Sequence, residues 1–185
     1  MKLFKNVTVY LIYGVLIAYI LVSIIIPKQT TDIFGVRFLV VVSNSMEPKI
    51  NVYDMILIKD VQKDALDEED IITFEAYIPE VGERHYVTHY LKEINTNSSG
   101  DTVYETQGLN ASSDTYDEWT DAEGNPVSIT YQDIEGVYLF KVPYIGRFVF
   151  WLKDPIFLLM LSINGAIFYL LYRQIKHYLY KKEAD

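Results

Sequence analysis

A serine at a corner, an imidazole on a strand and a carboxylate in a loop are the groups of this chain whose chemistry combines. Ser45 stands in Val40-Val41-Val42-Ser43-Asn44-Ser45-Met46-Glu47-Pro48. The β-branched run favours extended backbone, and Asn44 and Pro48 mark a bend, so Ser45 is presented where a strand ends. A serine hydroxyl is a weak nucleophile until a base takes its proton. The imidazoles available are His85, His89 and His177, and the first two lie in the polar middle of the chain. Residues 85, 87 and 89 share one face of a regular strand, so spacing leaves both His85 and His89 open. Lys92, the basic residue nearest His89, is three positions along and faces the other side. A carboxylate to orient the ring must come from a third segment, and Thr106-Gln107-Gly108-Leu109-Asn110-Ala111-Ser112-Ser113-Asp114 offers Asp114. Together these groups suit acyl transfer by an activated serine. Taken singly, each also fits a plain structural role: a strand end, a strand histidine, a solvated loop acid.

The elements that must position these groups follow from how polarity is distributed. The chain has 185 residues, is 50% hydrophobic and carries a formal charge of -9, so apolar and charged residues are segregated along it. Residues 7–26 carry no formal charge, and at about 1.5 Å per residue they make about 30 Å of helix, enough to cross a bilayer core. The run is longer than the apolar region of a cleavable leader, and no small-x-small site follows it, so it reads as a retained anchor. Residues 156–172 form a second apolar run. It is slightly short for a span unless residues from Phe148 contribute, in which case Lys153 and Asp154 snorkel or sit at the interface. Phe148, Phe150 and Trp151 suit that interface. Lys2 and Lys5 precede the first span, and Arg173, Lys176, Lys181 and Lys182 follow the second, which predicts both termini in the cytoplasm and the middle outside.

Between the spans, short runs at 35–42, 55–58, 71–74, 86–94, 102–106 and 136–142 read as strands of a mostly antiparallel domain. Residues 64–70 suit a helical turn, 95–101 a hairpin loop, and 114–126 a loop without periodicity. The expected fold is therefore a mostly β extramembrane domain flanked by two transmembrane helices: residues 1–28, tip and span; 29–147, external domain; 148–173, second span; 174–185, basic tail. The chain has no cysteine, which excludes disulfide and thiolate chemistry. No metal-ligand spacing appears, no cofactor is implied, and the acidic middle disfavours nucleic acid as a partner.

Several segments, in this order, resemble type I signal peptidases of the Ser/His branch: the SipW-like and archaeal enzymes and the catalytic subunit of the endoplasmic reticulum complex. Ser43-Asn44-Ser45-Met46-Glu47-Pro48 is similar to the family's Ser-Gly-Ser-Met-x-Pro box, Glu69-Asp70-Ile71-Ile72-Thr73-Phe74 to its Gly-Asp-Ile-Val-x-Phe strand, and Val87-Thr88-His89 to its histidine box. Asp133-Ile134-Glu135-Gly136 and Val142-Pro143-Tyr144-Ile145-Gly146 resemble its closing elements. The resemblance implies that Ser45 is the nucleophile, His89 rather than His85 the base, Asp114 the orienting acid, and Ser43 with the Ser45 amide the oxyanion donors. It also implies a membrane-bound signal peptidase, a serine endopeptidase. Its partners would be the signal peptides of exported preproteins, cut after small residues, the lipid bilayer, and a translocase or accessory subunits.

The chain departs from the family at four places. Tyr90 stands where the family has Arg, Leu109 where it has Asp, and Tyr53 and Glu69 where glycines precede the Asp of two boxes. Two other functions compete: a non-catalytic membrane-anchored protein that binds a partner in secretion, and a self-cleaving regulator of the LexA type.

Overall fold

The computed structural model describes residues 2–97, 99–112 and 115–184, with side chains from 7 to 176 within that set. The chain divides into two units, the first ending at Pro143 and the second beginning at Tyr144.

In the first unit, helix α1 (Lys2–Ile25) leads through a 3-10 turn at Pro27–Gln29 into a short helix α2 (Thr30–Phe34). Gly35 ends α2 in the left-handed region (φ 68°), its N–H donating to Thr31 O at 2.7 Å. A residue with a Cβ is strained there, and the turn delivers the chain directly into β1 (Val36–Val40). The other strands are β2 (Met55–Lys59), β3 (Ile71–Ile78), β4 (Glu83–Thr96), β5 (Thr102–Gln107), β6 (Trp119–Thr120), β7 (Pro126–Val127) and β8 (Ile134–Val142). Six of them form one antiparallel sheet in the order β1-β2-β8-β3-β4-β5, while β6 and β7 pair as a separate small hairpin.

The strand runs predicted from alternation are present, most of them longer than predicted. Residues 64–70 contribute only a 3-10 turn at Lys63–Ala65. Residues 114–126, expected to be loop throughout, contain β6 and the start of β7. Tyr53 and Glu69 have φ of 70° and 72°, the left-handed conformation that glycine adopts without strain. This chain keeps that backbone with residues that pay a steric cost for it.

Ile71 and Ile72 are consecutive on β3 and so turn to opposite faces of the sheet. Ile72 joins Leu66, Phe74, Ala76, Leu91, Tyr104 and Ile129 in one buried cluster, and Ile71 joins Met46, Ile50, Ile56 and Ile58 in another. A fully buried side chain such as Phe74 or Ile50 contributes about 1.5–3 kcal/mol. The second cluster matters for the site because Met46 and Ile50 belong to the turn that carries Ser45.

The segment after α1 is tied to the sheet by charge. Thr30 and Thr31 are buried. Glu135 on β8 accepts from the Thr31 hydroxyl and pairs with Arg37 at 2.8 Å. Lys28 pairs with Glu75 at 2.8 Å, and Arg84 with Asp133 at 2.7 Å. Further back, Tyr19 of α1 packs edge-on against Phe34 and Phe38, and its hydroxyl accepts the Phe38 N–H at 3.0 Å.

In the second unit the C-terminal apolar run is two helices, α3 (Ile145–Lys153) and α4 (Pro155–Ala184). The expected span from residue 148 is thus interrupted at Asp154, and residues 148–153 belong to a separate short helix. Two stretches, Val7–Ile25 and Pro155–Lys176, are long and apolar enough to cross a membrane.

Candidate active site

The turn carrying Ser45 grows out of β1. Beyond Val40 the backbone stays paired, Val41 N–H donating to Asp54 O and Tyr53 N–H to Val41 O, both at 2.9 Å. The chain then bends, with Glu47 N–H on Asn44 O at 3.1 Å and Ile50 N–H on Met46 O at 2.8 Å. Met46 (2% exposed) and Ile50 (0%) pin the turn into the core. Asp54, fully buried behind it, accepts the Asn51 N–H at 3.0 Å and pairs with Lys141 at 2.7 Å. Out of this anchored turn Ser45 stands half-buried and Ser43 exposed, their Oγ atoms 3.3 Å apart.

His89 comes from β4, opposite Ile72 on β3. Its ring is buried against Phe74 and Trp119, with centroids at 6.4 and 6.0 Å. Nδ1 lies 2.6 Å from Asp117 Oδ2. Asp114, expected in this role, lies outside the described residues, and the carboxylate that meets the ring is Asp117, three positions further on. Sequence reasoning missed it because one acid in an aperiodic acidic stretch looks like another. The only signal was the closeness of Trp119, an aromatic ring able to bury it.

The protons of this cluster can be assigned by following donors. Trp119 Nε1–H donates to Thr106 Oγ1 at 3.0 Å, so the Thr106 hydroxyl is free to give its own proton to Asp117 Oδ2 at 2.8 Å. Gly108 N–H reaches Oδ1 at 3.4 Å. With the Thr106 hydroxyl and the Gly108 N–H donating to Asp117, the remaining short contact is a donation from His89 Nδ1–H. In that tautomer Nε2 is the lone-pair nitrogen. Nε2 is buried and has no hydrogen-bond partner among the described residues.

The serine turn and the imidazole meet across Gly108. A methyl group placed on Gly108 would sit 3.3 Å from His89 Nε2 and Cε1 and 3.3 Å from the Ser45 carbonyl oxygen. Only a residue without a side chain leaves both neighbours where they are. The same loop grips the serine turn, Asn110 donating through its amide to Ser45 O at 3.3 Å and through Nδ2 to Asn44 O at 2.9 Å. No hydrogen bond joins Ser45 Oγ to His89 Nε2; the partner of Ser45 Oγ is Ser43.

Beside the serines is a cavity of about 210 Å3 lined by Val40, Val42, Ser43, Ser45, His85 and Tyr86 among others. His85 is exposed, and no described carboxylate meets its ring. The lysines near the site are engaged elsewhere. Lys92 pairs with Glu69 at 2.8 Å, and Lys49 donates to Tyr90 Oη at 2.9 Å. Tyr90 therefore ties the serine turn to the histidine strand, between the ammonium groups of Lys49 and Lys92 at 4.9 and 5.2 Å from its ring.

What the arrangement can do follows from these contacts: accept a proton at Nε2, hold the resulting imidazolium against Asp117, and receive an extended segment along apolar walls. No protein-family model matches this chain, and no curated protein matches it.

Proposed function

We propose that this chain is a membrane-bound serine endopeptidase of the signal peptidase I type, cutting export signals after small residues by a Ser45/His89 mechanism. The observation that carries the proposal is the pair of contacts made by His89. Nδ1 is held by a carboxylate, while Nε2 is buried beside Gly108, where an added methyl group would meet both the ring and the Ser45 carbonyl oxygen at 3.3 Å. The orienting role goes to Asp117, which replaces Asp114 in the mechanism.

Ser45 Oγ attacks the carbonyl carbon of the scissile peptide as Nε2 takes the hydroxyl proton. The C–N bond breaks as the imidazolium gives that proton to the departing amine, leaving an acyl ester on Ser45. Water, deprotonated in turn by Nε2, hydrolyses the ester and restores the hydroxyl. Asp117 stabilises the imidazolium in both steps. The Ser45 amide and the Ser43 hydroxyl are the donors for the oxyanion, and loss of one such donor typically costs about 100-fold to 1,000-fold in turnover. Attack requires the Ser45 hydroxyl to leave Ser43 and reach the ring.

The setting is consistent with this chemistry. An extended peptide adds to a strand edge through backbone hydrogen bonds, and shallow apolar walls exclude large side chains. Two membrane spans, with basic residues beyond their outer ends, put both termini in the cytoplasm and the β unit on the far side of the cell membrane. Enzyme and signal peptide then share one bilayer, which raises their effective concentration. Among the described residues no lysine hydrogen-bonds Ser45 Oγ, which argues against the LexA-type alternative, and the buried His89–Asp117 pair argues against a purely binding role.

The test is processing of a signal-bearing precursor by the full chain in vesicles. Wild type is expected to release the mature product, and Ser45→Ala and His89→Ala to fall to background. Full processing by either variant removes that residue from the mechanism, and no processing by wild type overturns the proposal.

A further inference from the structure

We infer that α3 is an interfacial helix lying in the headgroup region of an anionic bilayer, distinct from the span that follows it. The inference rests on the membrane reading of α4. It starts from the break between the helices. Asp154 has extended backbone (ψ 116°), and its carboxylate accepts the Ile156 N–H at 2.8 Å and the Phe157 N–H at 3.4 Å. Pro155 needs no partner for a missing donor. A capped start of this kind begins a new helix. The span needs nothing from α3: Pro155–Lys176 has 22 residues, about 33 Å at about 1.5 Å per residue, which covers a hydrocarbon core of about 30 Å by itself.

The composition of α3 suits the boundary. Phe148, Trp151 and Leu152 fall at i, i+3 and i+4 and share one side of the helix with Ile145. They are 57%, 46% and 57% exposed, so the described residues leave about half of that stripe uncovered. Trp151 stacks near Phe148 at 5.3 Å and near Phe157, in the first turn of α4, at 5.7 Å, carrying the aromatic surface from one helix to the next. Arg147 and Lys153 lie off the stripe, and the nine residues contain no acid in a chain of net charge -9. A basic, apolar, Trp-bearing helix joined by one capped residue to a membrane-length helix is complementary to anionic headgroups.

Because the chain contains no cysteine, single cysteines can be placed at each position of 145–153 and at Ile163 in the full-length protein. They would carry a nitroxide and be reconstituted in phosphatidylcholine vesicles with and without phosphatidylglycerol. Relative access of oxygen and of a polar nickel chelate then reports depth. The expected result is a helical alternation. Labels at Phe148 and Leu152 favour oxygen at about 5–10 Å below the headgroups, those at Arg147 and Lys153 favour nickel, Ile163 lies deeper than all, and removing phosphatidylglycerol weakens the contrast. Depth rising steadily from 145 to 163 overturns the inference by making α3 part of the span. Nickel access at all nine positions with Ile163 still deep overturns it by placing α3 in water. Nickel access at Ile163 as well removes the membrane reading together with the inference.

Discussion

Asp54 and Asp117 are both carboxylates enclosed by the β unit, but their surroundings differ. Asp54 is fully buried, with Lys141 as a permanent counter-cation at 2.7 Å and the Asn51 amide at 3.0 Å. Asp117 faces an imidazole at 2.6 Å, a neutral ring that becomes a cation only on taking a proton at its far nitrogen, which no described residue engages. The first carboxylate balances a charge that is always there. The second would stabilise a charge that comes and goes in the proposed reaction, and among the described residues its network is open at one atom. An open network close to the serine turn is what separates a candidate site from a structural ion pair.

Substitutions at the two acids should fail in different ways. Asp117→Asn gives the largest effect on turnover. Its amide N–H would donate to Nδ1, move the ring proton to Nε2 and remove the acceptor, a loss of about 10,000-fold in such systems, with little change in the unfolding midpoint; wild-type precursor processing would refute the assignment. Asp54→Ala should do the reverse. It leaves the Lys141 ammonium uncompensated at a cost of about 3 kcal/mol, measured by denaturant titration, while acylation of Ser45 per folded molecule stays near wild type. A large drop in acylation without destabilisation would erase the contrast between the two acids. Gly108→Ala sharpens it without touching charge. The added methyl meets His89 Nε2 and Ser45 O at 3.3 Å, and a shift of a few tenths of an ångström should lower turnover about tenfold, given that about 1 Å can cost about 100-fold. Unchanged turnover would mean that the separation of ring and serine turn is not set by this residue.

Most of the sheet was legible because its strands alternate or run apolar for four or more residues, as at Met55, Ile56, Leu57 and Ile58. The serine corner was legible from a β-branched run stopped by Asn44 and Pro48. Asp117 was not, because what marks it is the His89 ring on its Oδ2 and donation from Thr106, contacts no local pattern encodes. The β6–β7 hairpin escaped because two-residue strands carry no period. Lys153-Asp154-Pro155 held a start signal, an N-cap acid before a proline at the first helical position, that apolar residues on both sides concealed. Tyr53 and Glu69 stand where the resemblance implies glycine, and both have the positive φ that glycine adopts without strain.

The Tyr19 hydroxyl has a bearing on register. β1 is the outermost strand of its sheet, and the Phe38 N–H that Tyr19 receives points away from β2. By strand alternation the amides of Val40 and Val42 point the same way. Among the described residues no acceptor meets the Val40 and Val42 amides, while the Phe38 amide is already taken by α1. Under the proposed function α1 would act as an end-stop, limiting how far an incoming chain can slide before its backbone runs out of donors to meet.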